Sequence, residues 1–229
     1  MARLSKPGFA LIALADGAGT AKLAARGAQT TVSTVSRFLA SNFETILRAP
    51  DADAKRFLMT AIQKGLLRTA HAKDCSMSDL ACTLLFAATD GTMLLAGQLG
   101  DGRIGVRSKT TGDWYPLLAP DKGEFFNQTI FVSSKDPEDR LQLSQVPMAD
   151  ISACILMSDG AEESLFHRGT QTFAPAVEAI TRWLSESSPR SVERALNSNL
   201  RSVMRTKTAD DVSVALLLNP LSFKGFDSR

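Results

Sequence analysis

Apolar runs that stop at an aspartate recur along this sequence and constrain its fold more than any other feature. The run "FALIALADGAGT" ends at Asp16, and similar runs end at Asp101 in "LLAGQLGDG" and at Asp159 in "ACILMSDG". Two acids, Asp210 and Asp211, directly precede the last run, "VSVALLL". Short apolar runs flanked by Gly and Asp are typical of strands that end in turns. The sequence therefore predicts several strands with an acidic residue at one end.

The order of the predicted elements indicates a layered α+β fold. A strand near the start is followed by two helical segments, a run of strands, the strand before Asp159, two more helical segments and a final strand. Because strands and helices do not alternate, a layered arrangement is favoured over a parallel sheet with crossover helices. The step Asp90-Gly91 between two apolar runs predicts a β-hairpin. We interpret residues 1–229 as one domain, in which residues 113–150 form an irregular excursion or flap.

The charge balance argues against some classes of partner. Lys and Arg number 26 against 24 Asp and Glu, so no basic or acidic excess indicates nucleic acid or an anionic membrane. The first apolar stretch is short and runs into Asp16, and no other segment approaches the roughly 20 apolar residues of a membrane span. Three scattered cysteines without metal-type spacing indicate reduced core thiols. These features predict a cytoplasmic protein that binds neither nucleic acid nor membrane.

The acidic residues at four strand ends raise the question of a metal site. Clustered carboxylates repel one another unless cations hold them. Because no His or Cys stands at ligand spacing, oxygen-only ligation favours Mg²⁺ or Mn²⁺ over zinc. The alternative is four independent surface turns, since Asp-Gly steps are common in turns. The residues alone leave both interpretations open.

Four motifs in order along the chain carry a family resemblance. "ADGAG", "LGDGRI", "MSDGAEE" and "ADDVSVALL" resemble the signature motifs of the metal-dependent protein phosphatase 2C family. The segments "DLACTLLFA" and "DKGEFFNQTIFV" are similar to segments of a bacterial branch of that family. The resemblance implies two packed antiparallel β-sheets flanked by helices on both sides, which agrees with the predicted order of elements.

The resemblance also implies a set of metal ligands. By position in the motifs, Asp16 would bridge two ions, and the backbone carbonyl of Gly17 would bind the second. Asp159 and the acid that opens the last motif would complete the first site. By the motif pattern that acid is Asp210, and the neighbouring Asp211 is the candidate metal ligand if the register is shifted by one residue.

The activity implied is hydrolysis of phosphoserine or phosphothreonine in a phosphorylated protein by a metal-activated water. Asp16, Asp159 and Asp210 are then the catalytic acids, and Asp101 matches an acid that helps to bind a third, weaker ion. Such an enzyme would oppose a serine/threonine kinase in bacterial signalling.

The sequence departs from the family pattern in two places. Ala18 follows Asp16-Gly17, where many relatives have a histidine that protonates the leaving group. Family members also carry a phosphate-binding basic residue, followed by acids, on a strand before this motif, but here no acid precedes Asp16. A first strand is therefore expected to be missing. Either the true start lies upstream of Met1, or the second metal site of this chain is weakened. The alternative function is a catalytically impaired pseudophosphatase that binds phosphoproteins or regulates a partner.

Overall fold

A computed structural model describes residues 2–6, 8–118, 129–202, 208 and 210–219 of the chain. The strands are β1 (Ala2–Lys6), β2 (Phe9–Leu14), β3 (Leu84–Thr89), β4 (Met93–Leu99), β5 (Arg103–Ser108), β6 (Trp114–Pro116), β7 (Gln142–Pro147), β8 (Ile151–Met157), β9 (Phe166–His167), β10 (Thr172–Phe173) and β11 (Val214–Leu218). The helices are α1 (Ala24–Arg48), α2 (Asp51–Lys73), α3 (Asp159–Leu165), α4 (Pro175–Glu186) and α5 (Pro189–Ser202).

Two antiparallel sheets form the centre of the fold. The first has the strand order β1-β2-β3-β4-β7, and the second has the order β11-β8-β5-β6. The predicted hairpin is confirmed, because β3 and β4 pair on either side of the Asp90-Gly91 turn. In that turn Asp90 Oδ1 accepts hydrogen bonds from the backbone N–H groups of Thr92 and Met93, at 2.8 and 2.9 Å. The short polar side chain thus closes the turn that the sequence indicates.

Burial on both faces explains why the central strands β2, β3, β4 and β8 are apolar along most of their length. In β2, Leu11 and Ala13 pack toward α1 and α2, whereas Ile12 and Leu14 pack against the second sheet. In β8, Leu156 faces the first sheet and Ile155 belongs to the cluster under α3 and α4. Since both faces of these strands are buried, polar residues are confined to the strand ends.

Helices cover the outer faces of both sheets. Helices α1 and α2 form a hairpin on the first sheet, with Val35, Leu39, Leu58 and Ile62 buried at helical spacing. Helices α3 and α4 pack on the second sheet, where Val177 is fully buried. The prediction of two packed antiparallel sheets flanked by helices on both sides is therefore confirmed. No helix among the described residues is long and apolar enough to cross a membrane.

Two regions differ from what the sequence suggests. A strand does precede the Asp16 strand, since β1 pairs with β2 from Ala2↔Ala13 to Lys6↔Phe9; its short mixed composition, without an acid, conceals it in the sequence. Within residues 113–150, β6 joins the second sheet and β7 joins the first at its edge. All six residues of β7 are half-buried or exposed, so this strand lacks the apolar run that marks β2, β3, β4 and β8. Residues 119–128 of that stretch lie outside the described residues.

Candidate metal centre

The strand ends bring all the predicted site residues to one cavity of about 380 Å³. Its acidic lining consists of Asp16, Asp101, Asp159, Asp210 and Asp211, and Gly17 also lines it. Asp16 follows β2, Asp101 follows β4, Asp159 follows β8, and the last two precede β11. The two sheets end side by side here, so acids far apart in sequence become neighbours.

The backbone around Asp16 is fixed by hydrogen bonds to the segment before β3. The backbone N–H of Asp16 donates to Thr83 Oγ1 at 3.0 Å, and the N–H of Thr83 donates to the Asp16 carbonyl at 2.8 Å. Gly17 forms a β-bridge with Cys82. A Cβ on Gly17 would lie 2.7 Å from the Cβ of Ala24, so only glycine lets α1 begin this close to the site.

Cys82 lies beneath this bridge and is buried. Its Sγ lies 3.3 Å from Thr31 Oγ1, and burial raises the pKa of the thiol to about 11. The sulfur therefore stays protonated at neutral pH and is neither a nucleophile nor a ready metal ligand.

Asp159 is the first residue of α3, and its neighbours hold the segment before β11. Gly160 N–H donates to Asp159 Oδ1 at 2.8 Å. Ser158 Oγ donates to the Asp211 carbonyl at 2.9 Å and accepts from the Ser213 N–H at 3.1 Å. A Cβ on Gly160 would lie 2.9 Å from the Asp211 carbonyl oxygen. The "SDG" sequence thus positions one acid and supports the two others.

Asp101 has a partner that sequence reasoning could not assign. Thr129 Oγ1 donates to Asp101 Oδ2 at 2.8 Å, and both residues line the cavity. Thr129 belongs to "GEFFNQT", which matches the bacterial family branch but carries no chemical signal of its own. The hydrogen bond holds one carboxylate oxygen of Asp101 toward Thr129, and the other oxygen is the one that would bind a cation.

A buried ion pair connects the two Asp-Gly motifs behind the cavity. Arg103 Nη2 donates to Glu162 Oε1 at 2.9 Å, and both side chains are at least 96% buried. The Arg103 guanidinium also stacks on Phe166, 3.9 Å from the ring centroid. Arg168, which is exposed, donates to the same Glu162 oxygen at 2.9 Å. This pair ties the start of β5, next to Asp101, to the first turn of α3, which begins at Asp159.

Burial and, after it, the mutual repulsion of the carboxylates determine the electrostatics of the cavity. Burial, together with the smaller effects of the negative charges of Asp159, Asp211 and Asp101, raises the pKa of Asp16 to about 7. Burial and then the charge of Asp101 raise the pKa of Asp159, with a smaller contribution from Asp210. A hydrogen bond between the Asp16 and Asp159 side chains, which needs a proton on one of them, raises the pKa of Asp16 and lowers that of Asp159. A cation among these groups would remove the repulsion and favour their ionised forms.

The donor set fits a hard divalent cation. The cavity offers carboxylate and backbone carbonyl oxygens, which Mg²⁺ and Mn²⁺ prefer. Among the described residues, however, no three His, Cys, Asp or Glu side chains already form an assembled ion-binding group. The five aspartates thus share a cavity without converging on one point. The described lining contains no Lys, Arg or His, and Ala18 stands where many relatives have histidine.

Comparison with known proteins agrees with the fold and the motifs. The sequence model of the protein phosphatase 2C family matches residues 3–201. Serine/threonine-protein phosphatase 3 of Escherichia coli (strain K12) is 32% identical over 133 residues, which cover 56% of this chain and 50% of that protein. The chain therefore spans about half the length of the curated relative it matches.

Two crystal structures illustrate the likeness in fold. A bacterial serine phosphatase is 16% identical and has a TM-score of 0.59, with 91% of this chain and 85% of that chain covered. RsbX, crystallised in complex with magnesium, is 14% identical with a TM-score of 0.53, over 93% of this chain and 83% of that chain. From the family match over most of its length, the chain belongs to the protein phosphatase 2C family.

Proposed function

We propose that this chain is a Mg²⁺- or Mn²⁺-dependent phosphatase that hydrolyses phosphoserine or phosphothreonine in a protein previously modified by a serine/threonine kinase. The observation that carries the proposal is the set of five aspartates around one cavity in a chain of the 2C family. Four independent surface turns would have no reason to end at the same cavity.

The chain's own residues have distinct parts in this proposal. Asp16 and the Gly17 carbonyl would hold two ions, Asp159 and Asp210 would complete the first, and Asp101 would hold a weaker third. When bound, such ions lower the pKa of a water and offset the charge of the phosphoryl group. Asp211 is placed to tune Asp16, because its charge already acts on the Asp16 carboxyl.

Hydrogen bonds from backbone groups and from neighbouring hydroxyls position the segments that carry these acids. Thr83 fixes the backbone at Asp16, Thr129 orients Asp101, and Ser158 holds the chain at Asp211. These contacts keep three ligand-bearing segments facing one cavity, so that a phosphorylated side chain meets them in one orientation. No covalent phosphoenzyme is required, since water is the nucleophile.

The test combines calorimetric titration of Mn²⁺ with hydrolysis of a phosphothreonine peptide. We expect two bound ions, and we expect phosphate release that requires the metal. Asp159→Asn should lower kcat/KM by at least about 100-fold and weaken Mn²⁺ binding, because a ligand charge is lost. Asp113→Asn, an exposed acid in the turn before β6, is the matched control and should change neither quantity. Unaltered turnover in Asp159→Asn would contradict the proposal.

A second candidate, a pseudophosphatase that binds phosphoproteins without turnover, is favoured by one specific observation. Strand β1 has no acid, and the described lining of the cavity has no basic residue to bind phosphate. This candidate predicts one weakly bound ion and no metal-dependent phosphate release. It also predicts that the phosphopeptide still binds, which fluorescence anisotropy measures directly.

A further inference from the structure

The outer face of the α1–α2 hairpin carries a groove of about 890 Å³ whose charged residues are all basic. They are Arg26 and Arg37 of α1 and Lys64, Arg68 and Lys73 of α2, and all five are exposed. Within the part of the chain that the structure describes, none of the five forms an ion pair. We call this surface the basic groove.

The charge of the two helices is segregated along their length. Residues 24–43 and 54–73 contain seven Lys or Arg and no Asp or Glu. The acids of the hairpin, Glu44, Asp51 and Asp53, lie around the turn that joins the helices. The chain as a whole carries a net charge of only +2, so this concentration of positive charge is local. Such a field attracts an acidic partner and speeds its encounter.

Between its basic side chains, the groove is lined by small residues, several of which carry hydroxyl groups. Thr30 Oγ1 and Thr69 Oγ1 lie 3.1 Å apart across the two helices. Gly65 lets the helices approach, since a Cβ there would lie 2.7 Å from Thr34 Oγ1. Basic side chains therefore stand on both walls, above a floor whose hydroxyls can both donate to and accept from a peptide backbone.

The basic groove leads to the aspartates. Gln29 lines both the basic groove and an adjoining cavity of about 450 Å³, which Asp16 and Asp211 also line. Along α1, Arg26 and Arg37 are separated by about 16 Å, which matches about five residues of an extended peptide. The basic groove thus adjoins the candidate metal centre through this cavity.

We propose that the basic groove binds an acidic segment of the phosphoprotein substrate while the phosphorylated residue lies at the aspartate cavity. This inference rests on the proposed phosphatase function and names a class of substrate for it. A protein segment can confine its negative charge to the groove. A polynucleotide carries charge along its whole length and would bring several phosphates toward the five aspartates beyond the adjoining cavity.

The test uses two phosphothreonine peptides of equal length, one with a run of Asp and Glu beside the phosphothreonine and one with Asn and Gln in the same positions. The groove variant is Arg37→Gln/Lys64→Gln/Arg68→Gln. The control variant, Arg182→Gln/Arg190→Gln/Arg194→Gln, removes the same charge from exposed positions on α4 and α5. p-Nitrophenyl phosphate serves as a small substrate that cannot reach the groove.

We expect the wild-type chain to prefer the acidic peptide, and the groove variant to lose about 10-fold in kcat/KM for it, because three exposed charge contacts are removed. The control variant should keep the preference, and the rate with p-nitrophenyl phosphate should be unchanged in both variants. High salt should abolish the preference, since exposed charges are screened.

Equal rates with both peptides in the wild-type chain would overturn the basic-groove proposal while leaving the phosphatase function intact. Absence of hydrolysis of every substrate with Mn²⁺ would instead contradict the phosphatase function. In that case anisotropy with the unphosphorylated acidic peptide decides the groove: binding that is lost only in the groove variant supports it, and no binding overturns it. Tighter binding of an oligonucleotide of equal charge, lost in the same variant, would overturn the choice of a protein segment.

Discussion

Asp159 and Asp210 face the same cavity, but the chain supports them in different ways. Asp159 begins α3, whose first turn contains Glu162, buried against Arg103. Asp210 is exposed and lies on a segment without regular secondary structure, which is held from the α3 side through Ser158. We call the side formed by α3 the α3 wall and the side formed by residues 210–213 the segment wall. The packed core holds the α3 wall, and the α3 wall in turn positions the segment wall through Ser158. Substitutions in the α3 wall should therefore affect both walls, whereas substitutions in residues 210–213 should affect only the segment wall.

The largest expected effect comes from removing the charge behind the α3 wall. Glu162→Gln leaves Arg103 charged and buried without its counter-ion, which should cost about 3–5 kcal/mol of unfolding free energy in urea denaturation. Arg168→Gln removes only the exposed partner of the same carboxylate and should cost less than about 1 kcal/mol. Equal losses in the two variants would show that the buried pair does not hold this wall.

The opposite wall is tested by the two neighbouring acids. Asp210→Asn should lower kcat/KM by about 100-fold, because it removes a proposed ligand, whereas Asp211→Asn should lower it by about 10-fold or less. Both variants should keep the wild-type unfolding free energy within about 0.5 kcal/mol, because both positions are exposed. The reverse order of activity would mean that Asp211 is the ligand.

The contact between the walls can be altered at one glycine. In Gly160→Ala the added Cβ would lie 2.9 Å from the Asp211 carbonyl oxygen and 3.2 Å from the Asp210 Cβ. The segment must move away, so we expect a loss of about 1–2 kcal/mol in unfolding free energy and weaker Mn²⁺ binding. Gly169→Ala, where a Cβ would meet nothing within 4 Å, is the control and should be near neutral.

The smallest effect concerns the charges between the walls. In the metal-free protein the pKa of Asp16 is about 7, against an ordinary value of 3.8, so the folded chain binds this proton more tightly than the unfolded chain. The free energy of unfolding should therefore fall as pH rises from about 4 to 7. Because solvent screens a half-exposed carboxyl, we expect a fall of about 1 kcal/mol. Asp16→Asn should flatten this pH dependence, and bound Mn²⁺ should reverse its sign. An identical slope in the Asp16→Asn variant would show that Asp16 is not the group that causes it.

Much of the fold could be predicted from local patterns. Apolar runs that stop at Asp-Gly predict β2, β4 and β8, and the helical spacing of Val35 and Leu39 predicts α1. These signals work because burial on both faces of a strand, or on one face of a helix, leaves a periodic trace. Strands β1, β6 and β7 escaped prediction, because short or mixed edge strands leave no such trace.

In the candidate site, too, some residues could be predicted from the sequence and others could not. Its aspartates could be predicted, since each lies in a motif at the end of a strand. The residues that hold the aspartates in place could not be predicted. Thr129 donates a hydrogen bond to Asp101 from 28 residues away, and Arg103 pairs with Glu162 across 59 residues. Neither pair leaves a local pattern, and the acid Glu162 is typical of a solvent-exposed helix start until the fold buries it.

The high pKa of Cys82 has a practical consequence for experiments on this chain. Cys82 and Cys154 are buried, whereas Cys75, just after α2, is half-buried. A maleimide dye should therefore attach at residue 75 first, near the Lys73 end of the helix hairpin, and leave Cys82, in the β-bridge with Gly17, unlabelled. A fluorophore at this position would report on peptide docking by a change in emission, without any cysteine having to be introduced or removed.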